Sequence, residues 1–358
     1  MENDLKTVPF RINGEEIRPP YLIAGPCSAE NEEQTMKTAI GLAAGGVRIF
    51  RAGIWKPRTR PGSFEGIGSA GFPWLRRVKQ ETGMALAVEV ATAHHVEEAL
   101  SAGIDIVWVG ARTTANPFAV QEVAEALKGV EIPVLIKNPI NPDLELWIGA
   151  FERLNRAGVS QLGAIHRGFS SLNGSIYRNQ PLWDIPLRFK ELFPEVPMIN
   201  DPSHISGKRD LVFQVVRKAL SLGFEGLMIE SHYDPEIALS DKAQQFKPED
   251  LFSELNKVMA ESYGQSPEGD VDELDELRKR IDLCDHDLLV TLVNRMMVSE
   301  KIGSYKKRKS MPIVQGNRWK EILESRLSEG KSIGLSEDFI AGLFNYIHQE
   351  SVNKQMEE

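Results

Sequence analysis

The 358-residue sequence has only two cysteines, Cys27 and Cys284, which argues against a disulfide framework, leaves room for one bridge at most and makes Cys27 a free thiol. It has no apolar run near the ~18 residues needed to cross a bilayer, and its start, "MENDLKTVPF", lacks the apolar segment of a secretory leader. A soluble, cytoplasmic chain that makes no membrane contact is expected. It also lacks a cationic excess: 42 Lys and Arg against 51 Asp and Glu give a net charge of −9, which argues against general nucleic-acid binding. Basic residues gathered in one place would then have to meet an anionic small molecule.

What is present is a regular alternation. Asn13-Gly14 between two short extended runs predicts a tight hairpin. Eight short, nearly continuous apolar runs follow, at 21–28, 47–53, 84–90, 104–112, 132–139, 160–168, 196–203 and 225–231, with helix-compatible sequence between them. Such strands imply a parallel sheet. Eight in ~250 residues favour closure into a (β/α)8 TIM barrel over an open doubly wound sheet. The runs end in Cys27, Arg51, Glu89, Arg112, Lys137, Arg167, His204 and Glu230, and a barrel's active site lies at those C-terminal ends.

Past residue 258 the texture changes. The expected division is a barrel over 1–258, a polar linker over 259–270 and an all-α domain of three helices over 271–358. Apolar residues at 274, 277, 281, 284, 288, 292 and 296 predict one long helix over 271–309. Shorter helices are expected over 317–329 and from a Ser336 cap to about 356. So long an amphipathic helix asks for a partner copy, and a homodimer through this domain is expected.

Two chemical groups stand out at the strand ends. Cys27, His204, Glu230 and a nearby Asp, best Asp241, form a mixed S, N, O set suited to a divalent transition metal. Arg51, Lys56, Arg58, Arg112, Lys137 and Arg167 would line one mouth and suit phosphate and carboxylate groups.

The stretches "AGPCSAE", "RAGIWKPRTRPGSFEG", "VGARTTANP", "IKNP", "HRGFSS", "DPSH" and "MIESHYDPEIALSDKAQQ", in that order over residues 21–245, resemble the short type I branch of 3-deoxy-D-arabino-heptulosonate 7-phosphate (DAHP) synthase. The resemblance implies condensation of phosphoenolpyruvate with erythrose 4-phosphate, the entry to aromatic amino acid biosynthesis. It implies one divalent metal ion per chain, manganese first with iron, cobalt or zinc as alternatives, on Cys27, His204, Glu230 and Asp241. Phosphoenolpyruvate would lie on Arg51, Lys56, Arg112, Lys137 and Arg167, and the sugar phosphate on Lys56 to Thr59 with Arg58 at its phosphate. Lys56, Glu89 and Lys137 are the expected catalytic groups. The related 3-deoxy-octulosonate 8-phosphate synthases carry Lys-Ala-Asn-Arg where this chain has Lys56-Pro57-Arg58-Thr59, which favours the four-carbon sugar. Only the hairpin precedes the first strand, so regulation is expected from the tail.

In the tail, Arg295 and Lys306, eleven residues apart, share a helix face, whereas Arg278, seventeen residues before Arg295, points about 100° away and would serve a partner's site. Residues 272–356 resemble the all-helical chorismate mutases, which implies Arg278 from the partner, Arg295, Lys306 and Arg318 on a dicarboxylate, Ser351 nearby, and Gln355 with Lys306 at the ether oxygen. Arg295, Lys306 and Gln355 would carry the rearrangement. Two positions depart from that family: Gln315 stands where it has an Asp or similar group, and Trp319 where it has a Glu. A non-catalytic chorismate or prephenate sensor is the alternative, with prephenate a candidate inhibitor of the synthase.

Overall fold

The computed structural model describes residues 5–56, 62, 64–170, 176–263, 273–314 and 316–356. The chain divides into two compact units, one of Met1–Ser170 with Tyr177–Ser266, the other of Ser171–Ile176 with Pro267–Glu358.

In the first unit a hairpin, β1 (Arg11–Ile12) and β2 (Glu15–Glu16), turns at Asn13 and Gly14, both at positive φ. Eight parallel strands then close in sequence order: β3 (Tyr21–Gly25), β4 (Ile49–Arg51), β5 (Ala85–Val90), β6 (Ile106–Val109), β7 (Val134–Lys137), β8 (Leu162–His166), β9 (Met198–Asn200) and β10 (Gly226–Glu230), which pairs with β3. Around them run α1 (Glu32–Ala44), α2 (Phe72–Thr82), α3 (Ala93–Ser101), α4 (Ala111–Thr114), α5 (Pro117–Ala126), α6 (Leu144–Arg156), α7 (Asp184–Leu192), α8 (Pro202–Ser206), α9 (Arg209–Ser221) and α10 (Pro248–Tyr263). Side-chain oxygens of Asn31, Thr92, Asn116 and Asp143 accept from the first-turn N–H groups of α1, α3, α5 and α6, starting each helix where its apolar face meets the sheet.

Alternation along the strands sorts the core. Outward residues such as Phe50, Leu86, Val88, Val107 and Ile136 pack against the helices, while Tyr21, Ile23, Ile49, Ala87, Trp108, Leu135, Ile165, Ile199 and Met228 fill the barrel. Phe10 belongs to the inner cluster and Ile12 and Ile17 pack on it, so the hairpin stoppers the N-terminal end. The chain leaves β3 through Gly25, where a Cβ would stand 2.0 Å from the Arg51 carbonyl oxygen; only glycine lets β3 and β4 lie this close below Cys27.

The second unit holds α11 (Glu273–Arg308), α12 (Gly316–Ser332) and α13 (Glu337–Met356). Gly303 lets α13 approach α11, since a Cβ there would meet the Gln355 Cα at 2.8 Å. Helix α10 continues to Tyr263, beyond the expected boundary at 258, because no Gly or Pro stops it before Gly264.

Candidate active sites

The inward register of each strand carries into the barrel mouth. Two residues past Gly25, Cys27 is fully buried and its backbone N–H donates to Gln245 Oε1 at 2.9 Å. Its Sγ lies 3.3 Å from Asp241 Oδ2 and 3.1 Å from Lys56 Nζ, which also donates to the Cys27 carbonyl at 2.8 Å. Cys27, Glu230 and Asp241 each place one ligand atom within 4.8 Å of the others. Glu230 accepts from Gln244 through Oε2 at 2.7 Å, but its buried Oε1 has no hydrogen-bond partner among the described residues. That oxygen faces Arg51 Nη2 at 3.2 Å and His204 Nε2 at 3.7 Å. Asp241 sits at φ +48°, a strained conformation for a residue with a side chain, and is held there by Arg178, which donates to its Oδ1 at 2.9 Å and to Gln244 Oε1 at 3.0 Å.

These groups fit a metal ion. Burial, with Glu230 adding to it, pushes the Cys27 thiol up to about 12, so Lys56 alone does not hold it as a thiolate. Burial would raise the Asp241 carboxyl as well, yet His204 and Arg178 keep it well below the usual carboxylate range. A soft sulfur donor, two carboxylates and an imidazole around one unsatisfied oxygen form a donor set that a divalent transition metal completes.

His204 rides on the one-turn α8 rather than on β9, and Asp201 fixes it. The fully buried Asp201 carboxylate accepts from His204 Nδ1 at 2.9 Å, from the His204 backbone N–H at 3.2 Å and from Lys137 Nζ at 2.7 Å. Nε2 is thereby left to face Glu230, the arrangement by which a carboxylate orients a metal-binding histidine. His204 and Lys137 outweigh burial and hold the Asp201 carboxyl far below its ordinary value. Sequence reading missed Asp201, although the alternation from inward Ile199 pointed to it. Asp201→Asn is expected to weaken metal binding about 10–100-fold and phosphoenolpyruvate binding in parallel; calorimetry on the metal-stripped chain and then the reloaded chain reads both, and an effect on neither would remove Asp201 from the site.

The anion-binding residues gather around Trp108. Arg51 is buried with Nε and Nη1 unpartnered among the described residues, and its guanidinium lies 5.0 Å from the Trp108 ring centre. Lys137 Nζ lies 5.8 Å from the same ring, whose Nε1–H donates to Glu89 Oε2 at 3.1 Å. Arg167 donates to Asn179 Oδ1 at 2.9 Å, and its backbone N–H is held by Asn138 at 2.8 Å. Arg112 is exposed on α4, one turn beyond its strand. Arg58 and Thr59 lie outside the described residues. Arg178, Trp108 and Gln244 join the site without having been anticipated.

In the second unit Arg295 of α11 donates to Ser351 Oγ and, at 3.4 Å, to the Ile347 carbonyl, while Lys306 donates to Gln355 Oε1 at 3.0 Å and the Ile313 carbonyl at 2.5 Å. Arg295, Lys306, Ser351 and Gln355 thus form one group. Arg278 is exposed on α11, and Arg318 turns to Glu321 at 3.1 Å, with both side chains two-thirds exposed. Gln315 lies outside the described residues.

A closed (β/α)8 barrel with buried cations and a metal-fitting donor set at its C-terminal mouth defines a class: a barrel enzyme acting on small molecules, here followed by a helical unit with its own cationic group. The DAHP synthetase I family profile matches residues 10–264 and the chorismate mutase type II profile residues 277–356. A phospho-2-dehydro-3-deoxyheptonate aldolase of Thermotoga maritima is 33% identical over 238 residues, 66% of this chain and 68% of that protein. A 2-dehydro-3-deoxyphosphooctonate aldolase of Geotalea daltonii is 28% identical over 274 residues, 73% of this chain and 98% of its own length. Among solved structures, a Thermotoga maritima DAHP synthase superposes with a TM-score of 0.61 at 29% identity, covering 68% of this chain and 70% of that one. The chain belongs to the DAHP synthetase I family, and it is a bifunctional transferase and isomerase in which a DAHP synthase domain is followed by a chorismate mutase domain.

Proposed function

We propose that the barrel condenses phosphoenolpyruvate with erythrose 4-phosphate to DAHP and inorganic phosphate in the cytoplasm, using a divalent transition metal, manganese first with iron, cobalt or zinc able to substitute. The observation that carries this reading is Arg51: a fully buried guanidinium with two nitrogens unpartnered among the described residues, beside Lys137, is a place kept for an anion. Arg51, Lys137 and Arg167, with Arg112 at the rim, hold the phosphate and carboxylate of phosphoenolpyruvate. Cys27, His204, Glu230 and Asp241 hold the ion, which supplies Lewis-acid polarisation of the aldehyde when bound. The alkene carbon forms the new bond to the aldehyde carbon, the carbonyl electrons move to oxygen, and Lys56 Nζ donates the proton that neutralises it. Water then adds to the adjacent carbon, with Glu89, oriented by Trp108, taking its proton and Lys137 facing it. The bond between that carbon and the phosphate oxygen then breaks, phosphate leaving with its electrons as the added hydroxyl gives up its proton to the departing phosphate and becomes the keto group.

The octulosonate relatives favour a second reading with arabinose 5-phosphate as acceptor; Lys56-Pro57-Arg58-Thr59 argues against it. Initial rates with the two aldehydes decide. Turnover of erythrose 4-phosphate at least 100-fold above arabinose 5-phosphate is expected, and the reverse preference would overturn the proposal.

For the helical unit the proposal is rearrangement of chorismate to prephenate within a homodimer. Leu289, Val293, Leu343 and Tyr346 expose an apolar groove of about 510 Å³ that a second copy would cover, bringing the partner's Arg278 toward Arg295 and Lys306. Arg318 and Ser351 complete the substrate set, and no nucleophile is needed, because placed charge stabilises the polarised pericyclic transition state.

A further inference from the structure

The helical site carries an aromatic pair where the family it resembles has a carboxylate. Trp319 of α12 lies flat on His348 of α13, with ring centres 3.9 Å apart and planes 9° from parallel. His348 precedes Ser351 by three residues and Gln355 by seven, so on α13 it shares the face that receives Arg295 and Lys306. Those cations spend their hydrogen bonds on neutral acceptors: a serine hydroxyl, a glutamine oxygen and two backbone carbonyls. Two positive charges, a neutral ring and an indole bracing that ring therefore make up this side of the site.

We propose that His348, braced by Trp319, is a substrate-contacting, specificity-determining residue of the mutase site that hydrogen-bonds the hydroxyl-bearing edge of the bound dicarboxylate. The inference rests on the mutase reading. Burial, then Arg295 and Lys306, push the imidazole below its ordinary range, so at neutral pH it is uncharged and offers both a donor and an acceptor. An imidazole can serve the hydroxyl in place of the family's carboxylate without adding negative charge beside the two cations. The stack supplies what a single histidine on a surface helix lacks, a fixed ring plane.

The test uses the full-length chain with chorismate and with a dicarboxylate analogue lacking the hydroxyl. His348→Ala is expected to lower kcat/KM for chorismate about 10–100-fold and to weaken binding of the deoxy analogue less than twofold, because only the former loses a hydrogen bond. His348→Gln should recover most of the loss. Trp319→Phe should stay near the parent and Trp319→Ala should follow His348→Ala in part. Equal losses on both ligands, or none on chorismate, overturn the assignment while leaving the mutase intact. A parent chain that neither turns over nor binds chorismate overturns the mutase reading first and this inference with it.

Discussion

Cys27→Ser is expected to cut metal affinity by two orders of magnitude or more and to take synthase activity down with it. The native thiol is pushed up to about 12 by burial beside Glu230, so its ionisation depends on a cation arriving between Cys27, Glu230 and Asp241. Serine preserves the size and the weak hydrogen bond to Asp241 but does not ionise in this setting, and its hard oxygen does not replace a soft sulfur donor. The remaining ligands, His204 fixed by Asp201 and the two carboxylates, would still hold an ion loosely. Loss of the sulfur-to-metal absorption band in the cobalt-loaded chain, with bound metal counted by mass spectrometry, separates a ligand from a bystander. A metal-replete, fully active Cys27→Ser chain would remove Cys27 from the site.

Arg295→Ala is expected to lower chorismate turnover about 10²–10³-fold, the usual cost of losing one placed charge-stabilising donor. Arg295 is half-buried, and burial pushes its guanidinium below its ordinary value, so its charge acts through less water than an exposed arginine's. Its partners Ser351 and Ile347 are neutral, and the loss should fall on substrate binding and kcat rather than on the helix fold. Arg295→Lys should recover little, because a point charge does not reproduce the planar fork. Prephenate formation followed by absorbance, with circular dichroism as the fold control, checks both variants. Undiminished turnover would place the reaction elsewhere.

The barrel was legible because burial on both sides of a parallel strand writes an unbroken apolar run, and because each run stops where the wall meets water. Arg51, Lys137 and Glu230 lie on the last turn of that alternation and were readable from it. His204 and Arg112 were placed one step wrongly, on strands rather than on the short helices that follow, since one helical turn leaves no periodicity to read. Asp201 in "DPSH" carries no spacing signal that sets it above Asp241 as the acidic member of the set, although parity with Ile199 marks it as inward. Arg178 gave no local signal: its pairing with Asp241 spans 63 residues and exists only once the ring has closed. Trp319 was legible only as a departure from the mutase pattern, and its stacking partner His348, on another helix, was not anticipated at all.

The hairpin beneath the barrel also sets traffic. With Phe10, Ile12 and Ile17 stoppering the N-terminal end, the described residues leave the opposite mouth as the way to the Arg51–Lys137 floor along the barrel axis. A ligand bound on that floor would then have to enter before any ligand that covers it at the rim.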